Sequence, residues 1–184
     1  MVRSVNPPNE LTKLAALFSR GEKLVEHANQ IPPSATPEPY RQLLVHEQHM
    51  TLMMEQFHQT SIDVHVREVR IEEHTYCRKI LLQRSDTGAP VQLGIVRIDM
   101  NSLPGVVREE IVAGQLPLGR VLINHHVRRR IELRTILEIT AARELAELLH
   151  MREGEITYGR TATIFCHHAP AVELLEVLAP LPTP

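Results

Sequence analysis

The sequence predicts an α+β fold, a six-stranded antiparallel sheet with helices on one face, and three observations carry that expectation. Segments of alternating apolar residues follow one another along the chain and are joined by turn signals, which makes sequential strands antiparallel neighbours. Helical segments are inserted between those strand pairs, an order that places helices against a sheet rather than between parallel strands. Charged residues share strand parity with apolar ones at several positions, which points to an interior that is not wholly apolar.

The first helix is expected after Asn6-Pro7-Pro8-Asn9, with Asn9 as N-cap and Leu11, Leu14, Ala15 and Phe18 at helical spacing. Pro32, Pro33, Pro37 and Pro39 then form a Pro-rich linker. Residues 1–39 are thus read as an N-terminal helix and linker, and residues 40–184 as the main body of a single globular domain. A second helical stretch runs from about Tyr40 to Phe57, with Leu43, Leu44, Met50, Met53, Met54 and Phe57 as its apolar positions. Ile62, Val64 and Val66 alternate, and Val69 and Ile71 alternate on the opposite parity. One long strand with a bulge near Arg67 accounts for both. Tyr76–Gln83 and Val91–Ile98 form a hairpin about Asp86-Thr87-Gly88. Short helices are expected from Asn101 to Ala113 and from Pro117 onward. Val127–Ile139 is the fourth strand, Ala141–Leu149 a helix, and Ile156–Cys166 with Ala171–Leu178 a closing hairpin.

Composition narrows the function. The 184 residues carry a formal net charge of -2, with no Trp, three Phe and three Tyr, so the core is aliphatic and no lasting basic field is available to hold nucleic acid. The run His125-His126-Val127-Arg128-Arg129-Arg130 is read as a solvated surface. Cys77 and Cys166 fall in strands and match no metal spacing, so they are expected as buried free thiols in a reducing cytoplasm. No stretch reads as a signal peptide or a membrane span. The eleven histidines show no zinc spacing, and neither a phosphate loop nor a Gly-x-Ser-x-Gly elbow is present, so no metal and no cofactor is expected. A monomer is expected, because no helix shows an extra apolar stripe.

Strand parity selects the candidate residues. The fourth strand separates Arg128, Arg130, Glu132, Arg134 and Glu138 from Ile131, Leu133, Leu137 and Ile139. Three other strands do not separate charge from core. Arg78 shares parity with Tyr76, Ile80 and Leu82, Arg97 with Val91, Leu93 and Ile95, and Arg160 with Tyr158, Ala162 and Ile164. Glu173 shares parity with Ala171, Leu175 and Val177. A guanidinium keeps its proton, so inward arginines require anionic partners, and three against one carboxylate suit a small polyanionic ligand.

Several segments, in order, resemble the chorismate pyruvate-lyase (4-hydroxybenzoate synthase) family. These are Met50-Thr51 with Glu55, Tyr76-Cys77-Arg78-Lys79-Ile80-Leu81-Leu82, Gly94-Ile95-Val96-Arg97, Pro117-Leu118-Gly119-Arg120-Val121-Leu122, Tyr158-Gly159-Arg160, and Val172-Glu173-Leu174-Leu175 before Pro180. The resemblance covers roughly residues 40–180 and implies helical flaps over an internal ligand cavity, a chorismate lyase-like fold. It implies a carbon–oxygen lyase that needs no cofactor and cleaves chorismate to 4-hydroxybenzoate and pyruvate. It further implies Arg78 as the residue holding the ring carboxylate and Glu173 as the one at the ring hydroxyl, the two acting as catalytic groups. Met50 and Leu118 would be ligand-contacting flap residues, with Arg97 and Arg160 adding positive potential for the second carboxylate. The implied partners are the small molecules alone, with neither nucleic acid nor membrane. The alternatives are a non-catalytic small-carboxylate-binding domain of the same fold, such as the effector-binding half of a transcription regulator, and a chorismate-using enzyme with a different product.

Overall fold

The computed structural model describes residues 9–19 and 23–181. Asn6, Pro7 and Pro8 of the helix-start signal lie outside them. Helix α1 (Asn9–Ala16) is followed by strand β1 (Val25–Ile31), helices α2 (Tyr40–Leu44) and α3 (Met50–His58), and strands β2 (Ile62–Glu72), β3 (Thr75–Arg84) and β4 (Pro90–Asp99). Helices α4 (Gly105–Ala113) and α5 (Leu118–Asn124), strand β5 (Arg129–Ala141), helix α6 (Arg143–Leu149) and strands β6 (Ile156–Cys166) and β7 (Ala169–Leu178) complete the chain. All pairings are antiparallel, in the order β1-β5-β6-β7-β4-β3-β2.

The expected α+β class stands, with seven strands rather than six. The added strand is β1, whose sequence Val-Glu-His-Ala-Asn-Gln-Ile buries only Ala28. An edge strand whose exposed positions are polar shows no apolar alternation. Pairing with β5, which runs from Val25 opposite Ala141 to Ile31 opposite Ile136, is what makes it a strand.

The helices cover both faces of the sheet, not one. On the back face, Leu11, Leu14 and Phe18 of the N-terminal segment and Leu145, Ala146 and Leu149 of α6 pack on Leu81, Leu93, Ile95, Leu137, Ile139, Leu175 and Val177. On the front face, α4 and α5 bury Val107, Ile111, Leu118, Val121 and Leu122 against Tyr76, Val96, Ile98, Ile131, Ala162 and Ile164. Next to them α2 and α3 bury Leu43, Leu44, Met50 and Met54 against Ile80, Leu82, Ile136 and Leu178. A sheet covered on both faces carries inward residues of either parity. β3 accordingly buries every residue from Tyr76 to Leu82.

Two bulges set the faces. The one between Val66 and Glu68 lies where the parity change of β2 puts it. A second, between Leu133 and Thr135, divides β5. Ile131 therefore packs on the front face while Leu137 and Ile139 pack on the back. The clean parity expected of this strand is corrected, because past the bulge Ile136 takes the front face that Ile131 and Leu133 hold before it, which turns Leu137 and Ile139 to the back. The single helix expected from Tyr40 to Phe57 is also two helices. Val45, at φ -93° and ψ 74°, ends the first, and the second starts at Met50.

Candidate functional site

A cavity of about 50 Å3 lies on the front face between the sheet and the α3 and α5 flaps. Its floor comes from Ile80, Gln92, Gly94 and Glu176, and its roof from Met50 and Leu118. The register explains the floor. Ile80 lies opposite Gly94, Gly94 opposite Glu176, and Glu176 opposite Arg160, so one row crosses four strands.

The Pro117-Leu118-Gly119-Arg120 segment builds the roof residue by residue. Pro117 stands at the N-cap of α5 and ends the preceding loop. Leu118 buries its side chain over the cavity. Gly119 lets α5 approach His49, since a Cβ there would stand 2.8 Å from His49 Nδ1. Arg120 Nη2 donates to Glu55 Oε2 at 2.6 Å and ties α5 to α3.

Arg160 is 1% exposed, and each of its three nitrogens has an acceptor. Nε donates to Glu176 Oε2 at 2.6 Å. Nη1 donates to the carbonyls of Leu44 at 3.3 Å and His46 at 2.9 Å, and faces His46 Nδ1 at 3.2 Å. Nη2 donates to the Gln48 carbonyl at 3.3 Å. The guanidinium thus takes up the carbonyls of the unwound turn between α2 and α3. This is why the expected single helix breaks there. The added positive potential assigned to Arg160 is corrected: its charge is met by Glu176 and its hydrogens by that turn.

The two histidines of the turn are held neutral near pH 7. Burial, then the Arg160 charge, lowers the His46 pKa from 6.5 to about 4. Burial, then Arg129 and Arg160, lowers that of His49 to about 4. His49 Nε2 correspondingly accepts from Arg129 Nε.

Arg78 has the opposite circumstances. Its exposure is 0%, yet Nη1 makes one long hydrogen bond, 3.4 Å, to the Ile111 carbonyl of α4. Nε and Nη2 have no hydrogen-bond partner among the described residues. Desolvation pulls its pKa down, with the Tyr76 hydroxyl opposing. Val96, directly across from Arg78 on β4, and Ile80, next on the same face of β3, both line the cavity, so Arg78 lies beside it at the α4 end. At the other end Gln92, 2% exposed, leaves Oε1 unpaired.

Met50, Leu118 and Arg160 therefore meet at one cavity with Arg78 next to it, whereas Arg97 and Glu173 do not. Arg97 and Glu173 are cross-strand neighbours on the back face, exposed at 51% and 57% of their side chains, and they bond each other at 3.0 Å. Their inward placement is corrected. They share parity with the buried residues Ile95 and Leu175 but stay half exposed, and Glu173 borders an open back-face pocket with Glu10, Lys13 and Leu14 of α1. The carboxylate on the cavity floor is Glu176, which sequence reasoning missed along with Gln92. The available signal was Glu176 sharing parity with Leu174 and Leu178, as Gln92 does with Gly94 and Val96.

Cys77 and Cys166 are buried free thiols, with burial raising both pKa values. Among the described residues, no group of three or more His, Cys, Asp or Glu could hold a metal ion. No helix among them is long and apolar enough to cross a membrane.

No family model and no curated protein matches this chain. Solved structures do. The effector domain of PhnF from Mycobacterium smegmatis superposes with a TM-score of 0.54 at 10% identity, over 72% of this chain and 88% of that one. The structure of PhnF from the same organism gives 0.52 at 11% identity, over 70% of this chain; the chain spans 62% of its length, less than two thirds. A protein described as a regulator from Escherichia coli CFT073 gives 0.51 at 19% identity, over 65% and 96%. An effector domain and a regulator thus share this fold, and none of these structures is described as a lyase. This overturns the expectation of a chorismate pyruvate-lyase, of an enzyme, and of a chain without a nucleic-acid partner. What this chain shares with these proteins is the fold.

Proposed function

We propose that this domain binds a small carboxylate without transforming it, as the effector-sensing part of a regulator that works on nucleic acid. The observation that carries the reading is Arg78, a fully buried guanidinium with two of its three nitrogens unpartnered. A buried unpaired charge costs several kcal/mol, roughly, even after relaxation, and an anionic ligand removes that cost on binding. Arg also recognises a carboxylate through two parallel hydrogen bonds, and the two idle nitrogens are Nε and Nη2, an edge of the guanidinium that can form such a pair.

The other end of the site asks for the opposite chemistry. Gln92 Oε1 and the Glu176 carboxylate are acceptors, so the ligand carries a hydroxyl or amine away from its carboxylate. At about 50 Å3 the cavity is smaller than the roughly 150 Å3 that accepts a benzene ring. A ring-sized ligand must part the α3 and α5 flaps. Ligand arrival would also reach α4, because the Ile111 carbonyl now holds Arg78 Nη1. That supplies a conformational readout of the kind a sensor needs.

The test is thermal unfolding and titration calorimetry of the whole chain with benzoate, hydroxylated benzoates, succinate and inorganic phosphate, on wild type and Arg78→Met. A carboxylate that raises the melting temperature of wild type and leaves Arg78→Met unmoved is the expected result. A shift that persists in Arg78→Met, or no shift with any carboxylate, overturns the proposal.

A further inference from the structure

The outer edge of β2 is open beyond its bulge at Arg67. β2 ends the sheet, runs for eleven residues, and contains no Pro. Among the described residues no strand pairs with its outer side. Its front-facing residues are Ile62, Val64, Val66, Val69 and Ile71, opposite Arg84, Leu82, Ile80, Arg78 and Tyr76. All five are apolar. α3 buries Ile62 in its cluster and packs on Val64, but Val66, Val69 and Ile71 are 37%, 46% and 64% exposed. Val112 of α4, 49% exposed, shares a groove with Val66 and Val69. Monomeric proteins blunt such an edge with Pro, inward charges, bulges or a covering element. In β2 the bulge at Arg67 and the cover of α3 protect the first half, whereas among the described residues the stretch from Glu68 to Glu72 has no Pro, no inward charge and no helix over Val69 and Ile71.

The back-facing residues of the same stretch are charged and alternate in sign: Glu68, Arg70 and Glu72. The two-residue turn Glu73-His74 makes Glu72 and Thr75 the first hydrogen-bonded pair of the hairpin. By the alternation of antiparallel ladders, Glu72, Arg70 and Glu68 bond β3, while Ile71 and Val69 turn their N–H and C=O outward.

We propose that this edge pairs with β2 of a second copy of the chain, antiparallel, with the two-fold axis at Val69. In that register the outward N–H and C=O of Val69 bond those of Val69 in the second copy. Glu68 faces Arg70 of the second copy, and the symmetry makes this pair twice. Glu68, already bonded to Lys79 at 3.0 Å, gains a second cation. On the front side the two Val69 side chains meet, and each Ile71 stands across from Arg67 at the bulge of the other copy, with Val66 and Val112 bordering the contact. Moving the axis to Arg70 sets Arg70 against Arg70 and Glu68 against Glu72, and moving it to Glu68 sets Glu68 against itself. Like charges directly opposite destabilise a strand pair, so the charge order selects the Val69 register over its two immediate neighbours. The expectation of a monomer was drawn from the helices, and this contact uses none of their buried faces.

Sedimentation of the full chain over a dilution series tests the proposal, with Arg70→Glu and Val69→Pro as variants. Arg70→Glu changes an exposed side chain and places Glu opposite Glu twice. Val69→Pro removes the N–H that points away from β3. The expected result is a dimer for wild type and monomers for both variants, with wild-type circular dichroism and melting in dilute solution. If Val69→Pro does not fold, Arg70→Glu alone decides. A wild-type chain that stays monomeric throughout, or a dimer that survives Arg70→Glu unchanged, overturns the proposal.

Discussion

Arg78 and Arg160 lie on the same face of the same sheet, both essentially inaccessible to water, and differ in every other respect. Around Arg160 the protein has been arranged to satisfy the charge. Glu176 stands directly across on β7, and the chain between α2 and α3 is unwound so that three carbonyls turn toward the guanidinium. Around Arg78 the neighbours are Tyr76, Val96 and the inner side of α4, and the one carbonyl offered is 3.4 Å away. The first region closes on itself and holds the flap in place. The second is left incomplete. A buried cation is structural where its own chain supplies the acceptors, and a candidate for recognition where it does not.

The largest effect should come from breaking the complete region. Arg160→Met leaves the partly buried Glu176 without its cation and the α2–α3 turn without its donors, a loss of about 3 kcal/mol. Urea unfolding measures it. Adding Glu176→Leu should recover a large part, because the uncompensated carboxylate goes with it. No recovery would mean that the carbonyl bonds, not the ion pair, make the region.

The incomplete region should respond with the opposite sign. Arg78→Met in the absence of ligand removes a desolvated charge that has no counter-ion, and the domain should gain about 1–4 kcal/mol by the same measurement. A loss instead would place Arg78 with Arg160 as a structural residue and erase the contrast.

Acid should act on the complete region through its histidines. His46 and His49 fall from 6.5 to about 4 in the folded protein, so the unfolded chain binds more protons between those values. Their stabilising contribution is fully present above pH 6.5 and is lost as pH drops toward 4. Unfolding free energy measured across that window should rise with pH, and replacing both histidines by Gln should flatten the slope. An unchanged slope would assign the acid sensitivity to other groups.

The smallest effect belongs to the exposed pair. Arg97→Ala or Glu173→Ala should change stability by less than about 1 kcal/mol, the range of solvent-exposed ion pairs, and leave carboxylate binding intact. Loss of binding in Glu173→Ala would show that the back face takes part in recognition after all.

The sequence alone determined the period of nearly every element. Strands β2 to β7, the bulge at Arg67 and the helix after Pro117 all follow from apolar spacing and turn chemistry, which act over a few residues. It also singled out Arg78 and Arg160 as charges on inward positions. Tertiary structure decided which inward positions shared a face. A second bulge in β5, helices on both sides of the sheet, and a half-exposed sheet end at Arg97 and Glu173 each change what parity means, and each depends on partners far away in the chain. β1 exists because β5 offers it an edge. The break before Met50 is completed by Arg160, a residue more than a hundred positions later. The local pattern fixes which way a side chain points. Whether it finds water, a counter-charge or neither is set by what packs across from it, and that difference separates Arg160, Arg97 and Arg78.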